Sequence, residues 1–262
     1  MDIDIGTRYG PLKANFKPPV GAMRLSEFVF NLFPMEERLV GMGVRAAQKD
    51  GRSVSCRAGC GACCRQPVPV SMPEAFLLYE LVASQPQDQR ESVVARFDAA
   101  RAVLQANGFA ERSIEAQNQN QFDVVGLALD YFKLNLACPF LEAESCSIYP
   151  GRPMSCREHL VTSPAAECSN PAQRDGDEIR YNIEIRPILA PVSLTQALAV
   201  LHAELESVPP IFIPIPLALG YAAEQHEGRA KTYEAEALFR SFFRILGPVA
   251  ASRISPQGGA PN

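Results

Sequence analysis

Cys56-Arg-Ala-Gly-Cys60-Gly-Ala-Cys63-Cys64 places four thiols in nine residues, and the rest of the chain is organised around it. Residues three and four apart share one face of a helix. A helical reading would therefore set Cys56, Cys60 and the Cys63–Cys64 pair on consecutive turns, converging on one spot at little entropic cost. Three more cysteines recur in Cys138-Pro-Phe-Leu-Glu-Ala-Glu-Ser-Cys146-Ser-Ile-Tyr-Pro-Gly-Arg-Pro-Met-Ser-Cys156-Arg, and Cys168 is the eighth. Thiolates rather than thiols ligate metals, and several gathered together repel unless a cation neutralises them. The expectation is that these sulfurs hold metal.

Composition bounds the alternatives. The chain has 262 residues, 47% hydrophobic, enough for a real core in one large domain or two small ones. A formal net charge of -4 argues against a nucleic-acid partner. The N-terminus, Met-Asp-Ile-Asp-Ile-Gly, lacks a basic region followed by an apolar run, so no secretory signal is expected. The most apolar stretch, 211–223, is too short to span a bilayer and contains Pro214 and Pro216. A cytoplasmic chain is the resulting expectation, with no membrane association. A reducing compartment then disfavours a disulfide framework. A thiol cluster flanked by Gly and Arg is also not the pattern of scattered core cysteines.

The patterning predicts a mainly α fold, a helical domain built around a cysteine-ligated metal centre with a few short strands. Residues 1–50 read as an N-terminal arm and helices, 51–178 as the cysteine-cluster domain, 179–250 as a C-terminal helical region and 251–262 as a disordered tail. In detail, 1–23 reads as an extended arm. A short helix over 25–33, capped by Ser26, would give way at Pro34 to a second ending at Lys49. Gln66 to Val70 is extended because each proline restricts itself and its predecessor. Ser71-Met-Pro-Glu74 has the form of a capping box, and Asp88-Gln-Arg-Glu91 repeats it before a helix that ends at Gly108. Residues 111–121, rich in Gln and Asn, read as loop, 122–134 as helix and 163–178 as loop. Ile179, Tyr181, Ile183 and Ile185 alternate with polar residues as a strand does, with 68–70 or 211–215 as candidate partners. Ser193 caps a helix running to Glu206, and a last helix carries Leu238, Phe239, Phe242, Phe243 and Leu246 up to Gly247.

The thiol chemistry leaves two metals open. A Zn(Cys)₄ site and a [4Fe–4S] cluster with four Cys both carry about two net negative charges. Arg52, Arg57, Arg65, Arg152 and Arg157 flank the cysteines and suit such a centre. Gly59 and Gly61 let backbone N–H groups approach sulfur. Paired C-x-x-C motifs and a His inside the first motif are both missing, which tilts the reading from Zn²⁺ toward a [4Fe–4S] cluster. Eight thiols also suffice for two four-ligand sites. His159, three residues after Cys156, is a candidate ligand or proton donor, whereas His202 and His226 read as structural or solvated.

The set C-x-x-x-C-x-x-C-C, Cys-Pro-Phe-Leu and Cys-x-Ile-Tyr-x-x-Arg-Pro-x-x-Cys-Arg resembles the YkgJ-like CxxCxxCC family of zinc- or iron-chelating proteins, which includes flagellin lysine N-methylases. The resemblance spans about 54–160. It implies Cys56, Cys60, Cys63, Cys64, Cys138, Cys146 and Cys156 as metal-site residues, and Cys168 lies beyond it. It implies a metal-binding protein, or alternatively a protein lysine N-methylase that takes S-adenosylmethionine and a protein substrate. A glycine-rich nucleotide loop is not visible. The spacing of Cys56, Cys60 and Cys63 also matches radical S-adenosylmethionine enzymes, but those need a barrel and usually an aromatic where Ala62 stands. A third reading is a zinc-stapled interaction module without chemistry, its helices facing a protein partner.

Overall fold

The computed structural model describes residues 1–118, 124–175 and 178–254. The chain is mainly helical, with short two-stranded sheets between the helices. The first departure from the sequence reading is the N-terminal arm. β1 (Asp2–Thr7) and β2 (Gly10–Asn15) form an antiparallel hairpin, turned at Gly10 with φ 101°. Ile3, Ile5 and Thr7 alternate inward, a period-2 signal already present in the sequence. β3 (Ala22–Arg24) then leads into α1 (Leu25–Lys49), one helix where two were expected. Pro34 lies inside it on the solvent side, where water can take the carbonyl that loses its N–H partner. Ser26 does not cap. The backbone N–H of Arg24 donates to the Glu27 carboxylate instead, and Ser26 Oγ donates to Glu80.

β4 (Pro69–Val70) is extended as expected, and α2 (Met72–Ala83) follows the capping box of Ser71 and Glu74. α3 (Gln87–Ala106) starts one residue before Asp88, directly after Pro86, so the second capping box is not formed. Its end at Asn107 and Gly108, with φ 60° at the glycine, agrees with the prediction. α4 (Phe109–Asn118) replaces most of the predicted polar loop. Phe109 buries its ring against Tyr131, with centroids 5.4 Å apart, and Gln117 bonds both the N–H and the carbonyl of Phe212. Tertiary contacts thus hold a polar stretch helical. α5 (Val124–Lys133) lies within the predicted helix 122–134, whose first two residues are outside the described ones.

The cysteine segment that follows is mostly turns. It contains β5 (Leu141–Glu142), β6 (Ser145–Cys146), α6 (Met154–Glu158) and β7 (Leu160–Val161). β8 (Ala172–Asp175) pairs with β9 (Glu178–Tyr181). The predicted strand at Ile179 therefore exists, but its partner lies immediately before it, in a stretch read as loop. β10 (Pro187–Ile188) pairs with β7, and α7 (Leu194–Glu206) carries the predicted Ser193 cap, whose Oγ accepts from Gln196 N. β11 (Ile213–Pro214) pairs with β4, so the two candidate partners of the Ile179 strand pair with each other. α8 (Ile215–Glu224), α9 (His226–Ala230) and β12 (Thr232–Glu234), the partner of β3, lead to α10 (Ala235–Ile254). α10 continues through Gly247 and Pro248 to Ile254, beyond the expected start of a disordered tail; 255–262 lie outside the described residues.

One hydrophobic core draws side chains from Ile3 to Ala250. Its centre is aromatic: Phe28 meets Phe239 at 4.7 Å and Phe242 at 5.3 Å, both edge-on. α1, α2, α7, α8 and α10 supply most of it, and the cysteine segment packs on their flank. Among the described residues, no helix is long and apolar enough to cross a membrane.

Candidate metal centre

The first cysteine motif is not a helix. After α1 stops at Asp50 and Gly51, the chain runs extended, and Ser55 N donates to Val161 O on β7. A turn closes from Cys60 N to Arg57 O at 3.1 Å, with Gly59 at φ 84°, a conformation that only glycine adopts without strain. A single 3-10 turn, Ala62–Arg65, then carries Cys63 and Cys64. Gly59, one of the two glycines that the sequence reading assigned to sulfur contacts, is where the helix breaks. Gly61 has a different reason to be glycine. A Cβ there would stand 2.7 Å from Leu141 Cδ1 and 3.0 Å from the Glu144 carbonyl.

That contact belongs to the second motif, which folds directly onto the first. Cys138 N donates to Cys64 O at 2.7 Å. β5 and β6 form a hairpin that sets Cys146 opposite Leu141. Its turn holds Ala143 at φ 47° and Glu144 at φ 60°, two non-glycine residues in the left-handed region. Arg65 pairs with Glu144 at 2.7 Å across the two motifs, an exposed bridge that water screens and that therefore ties the motifs only loosely. Arg96 of α3 holds the other side: its Nε donates to Pro139 O at 2.7 Å, and it also pairs with Glu142. Phe140 buries its ring against Phe97, at 5.1 Å.

Cys156 is presented by α6. The first N–H of that helix, on Met154, donates to Glu74 Oε1 at 2.9 Å. Glu74, 1% exposed, also accepts from Thr195 Oγ1 and from the N–H and hydroxyl of Ser71. One buried carboxyl thus fastens α6 to α2 and α7. Cys168 sits in the 3-10 turn Ala165–Ser169, and Gln66 Nε2 donates to its carbonyl at 2.9 Å. All eight cysteines are free thiols, and Val161 N donates to Cys56 Sγ at 3.3 Å.

Their electrostatics show how they are grouped. Cys63 is the common neighbour, felt by Cys56, Cys64, Cys138, Cys146, Cys156 and Cys168. Around it lie two sets. Cys168 feels Cys56 and Cys60, and Cys56 feels Cys60. On the other side Cys156 feels Cys138 and Cys146, and Cys64 feels Cys138 and Cys156. Burial first, then mutual repulsion, pushes Cys138 up to about 12 and Cys168 up to about 11, and raises Cys156 well above the ordinary thiol value. Cys63 goes the other way, down to about 7, because its sulfur is hydrogen-bonded by Cys64, whose own thiol is raised in turn. Among the described residues, however, no three Cys, His, Asp or Glu side chains stand close enough together to share one ion. The thiols are assembled as a neighbourhood, without the convergence on one spot that a helical motif would have produced.

The flanking cations divide. Arg52 pairs with Asp50 at 3.0 Å, Arg65 with Glu144, and Arg57 is exposed. Arg152 faces the thiols and draws down Cys56, Cys63, Cys146 and Cys156. Its guanidinium lies 4.1 Å over the Tyr149 ring. Arg157 feels Cys156 more weakly than it feels Arg152, Glu36 and Glu37, and it lies over Phe33. His159 Nε2 is buried with no hydrogen-bond partner among the described residues, and burial lowers its pKa. His202 packs against Phe76, and burial lowers its pKa. Sequence reasoning missed Glu74 as more than a cap, and it missed Arg96 and Gln66, because each acts on a turn about 40 to 100 residues away.

On the flank of a helical scaffold the chain thus gathers a thiol-rich neighbourhood. Residues 55–176 match the family model CxxCxxCC, described as a "putative zinc- or iron-chelating domain". The match takes in all eight cysteines, reaching Cys168 beyond the motifs that carried the resemblance. No curated protein and no solved structure matches the chain.

Proposed function

We propose that the chain is a metal protein whose eight cysteines form two adjoining sites. Cys56, Cys60, Cys63 and Cys168 would hold one, and Cys64, Cys138, Cys146 and Cys156 the other. The observation that supports this reading is that Cys168 is coupled to Cys56 and Cys60, while Cys64 and Cys156 are coupled to Cys138, with Cys63 coupled to both groups. The donor set fits a thiophilic metal. Thiols that burial and repulsion hold protonated are relieved when a cation replaces their protons. Arg152 complements the residual negative charge, and the unpartnered His159 Nε2 is an imidazole nitrogen still in want of a partner.

All-thiolate donors and the absence of paired C-x-x-C motifs favour a [4Fe–4S] cluster at each site over Zn²⁺. Iron–sulfur clusters supply one-electron transfer, whereas Zn²⁺ here would be structural. The chain's own part is to bring two segments about 75 residues apart to one place, by the Cys64–Cys138 backbone bond and the Arg65–Glu144 pair.

Anaerobic purification followed by assay of iron, zinc and acid-labile sulfide tests this directly. Cys168→Ser and Cys146→Ser should each remove about half of the metal and leave the other site loaded. Full metal content in both variants would reject the two-site reading, and loss of all metal from either would replace it with a single shared centre. Calorimetry with S-adenosylmethionine is the separate test of the lysine-methylase alternative.

A further inference from the structure

Beside the thiols, α1 and the segment 149–157 enclose a cleft of ≈ 600 Å³. α1 contributes Phe30, Phe33 and Glu36, and the facing segment contributes Tyr149, Arg152 and Arg157. The two guanidiniums lie over two of the rings, Arg152 over Tyr149 at 4.1 Å and Arg157 over Phe33 at 4.0 Å. Stacking fixes a guanidinium's plane and leaves its edge to meet an oxyanion with two parallel bonds. Among the described residues, neither arginine has a carboxylate within ion-pair distance, and Nε of Arg152 is buried without a hydrogen-bond partner. Arg157 gives Nε to the Arg152 carbonyl and one terminal nitrogen to the Pro150 carbonyl, which aims the group without neutralising it.

Glu36 is the third feature. It is 1% exposed and lines the cleft, and neither of its oxygens has a hydrogen-bond partner among the described residues. A buried carboxyl left unbonded is destabilising and requires a reason. Its surroundings hold it protonated: burial dominates, Glu158 and Glu74 add repulsion, and Arg157 and Arg253 oppose them. A protonated carboxyl donates a hydrogen bond, so Glu36 adds a donor to the two guanidiniums; the exposed Glu37, which also lines the cleft and acts on Arg157, is the one acceptor carboxyl among the lining residues. At the rim Phe30 is 61% exposed, while its neighbours Phe28, Val29, Leu32 and Phe33 are buried. An aromatic ring left in water beside unmet donors supplies the apolar half of a binding site.

We propose that this cleft binds a small organic oxyanion, a carboxylate or phosphate monoester on a flat apolar body, its head on Arg152, Arg157 and Glu36 and its body against Phe30. A cation is the wrong occupant, because the rings of Tyr149 and Phe33 are already covered by arginine. The site uses none of the cysteines and does not rest on the metal reading. It does adjoin the thiols, since Arg152 acts on four of them. A bound anion would therefore share that arginine with the metal centre.

The test is isothermal titration of the full chain, as purified, with phenyl phosphate and with benzoate. Saturable binding of at least one probe is expected, weakened roughly tenfold or more by Arg152→Gln, which removes a bidentate charged contact. Phe30→Glu, at an exposed position that leaves the core untouched, should weaken it similarly by setting a negative charge at the rim. The stronger probe identifies the head group. No saturable binding of either probe up to about 10 mM would overturn the proposal, and so would binding unchanged in both variants.

Discussion

Replacing Glu74 by Ala should be among the most damaging single changes outside the cysteines. Its two oxygens accept from Met154 N at 2.9 Å, Ser71 N at 2.9 Å, Ser71 Oγ at 2.7 Å and Thr195 Oγ1 at 3.1 Å. The hydroxyls can turn elsewhere; Thr195 Oγ1 already lies 2.9 Å from Ser155 Oγ. The two backbone N–H groups cannot, and at a site 1% exposed no water replaces the carboxyl. Each orphaned buried N–H costs about 1–3 kcal/mol, and losing the capping box costs about 1 kcal/mol. Removing a carboxyl whose burial raises its pKa returns part of that. A net loss of about 3 kcal/mol follows, which for a chain of this size lowers Tm by about 6–12 °C. Urea unfolding followed by circular dichroism measures the first figure and a thermal melt the second. Because Met154 opens the helix that presents Cys156, metal affinity should fall as well, by about 10–100-fold. Glu74→Gln keeps one acceptor oxygen and should lose less. A loss below about 1 kcal/mol in Glu74→Ala would refute the role assigned to this carboxyl. A full stability loss with unchanged metal affinity would refute only its link to the thiols.

Three further outcomes follow from the same geometry. Gly61→Ala should force the 3-10 turn away from the 141–146 hairpin, costing about 1–3 kcal/mol and lowering metal content, because its Cβ meets the Glu144 backbone as well as Leu141; elemental analysis and urea unfolding check it. Ala143→Gly should instead stabilise the chain by up to about 1 kcal/mol, since glycine relieves the left-handed φ of 47° without touching the Arg65–Glu144 pair. Glu36 sets a pH dependence: its carboxyl titrates at about 4.3 when unfolded and well above that when folded. The folded chain therefore holds the extra proton in between, and stability falls as pH rises above about 4.3. Glu36→Gln should flatten that slope in urea unfolding measured from pH 5 to 8, and an unaltered slope would show that the group is not held protonated.

The scaffold was legible where local chemistry and tertiary packing agree. Ser71 with Glu74 and Ser193 with Gln196 mark helix starts that the structure keeps. Failures came where distant contacts outweigh local preference. Pro34 reads as a break, yet α1 passes through it because both flanks bury Phe28, Leu32 and Leu39 in one core. The stretch after Phe109 reads as loop by its polarity, yet Ser113 and Gln117, one turn apart, face protein rather than water. Alternation showed a strand at Ile179, but nothing in single-sequence periodicity names its partner.

The site was legible as an inventory and not as an arrangement. Spacing and resemblance named the cysteines, but a helical reading of Cys56 to Cys64 made four of them converge on their own. Gly59, at φ 84°, denies that helix, and the consequence reaches beyond local geometry. With the motif in turns, Cys63 is coupled to thiols of both segments and Cys64 to Cys138 and Cys156, so the neighbourhood is complete only with the second segment. The tie between segments cannot be read from either motif alone, because it is backbone to backbone at Cys138 and Cys64 and carboxyl to backbone at Glu74 and Met154. Burial and mutual repulsion hold most of these thiols above their ordinary pKa, so a metal that binds them must displace their protons.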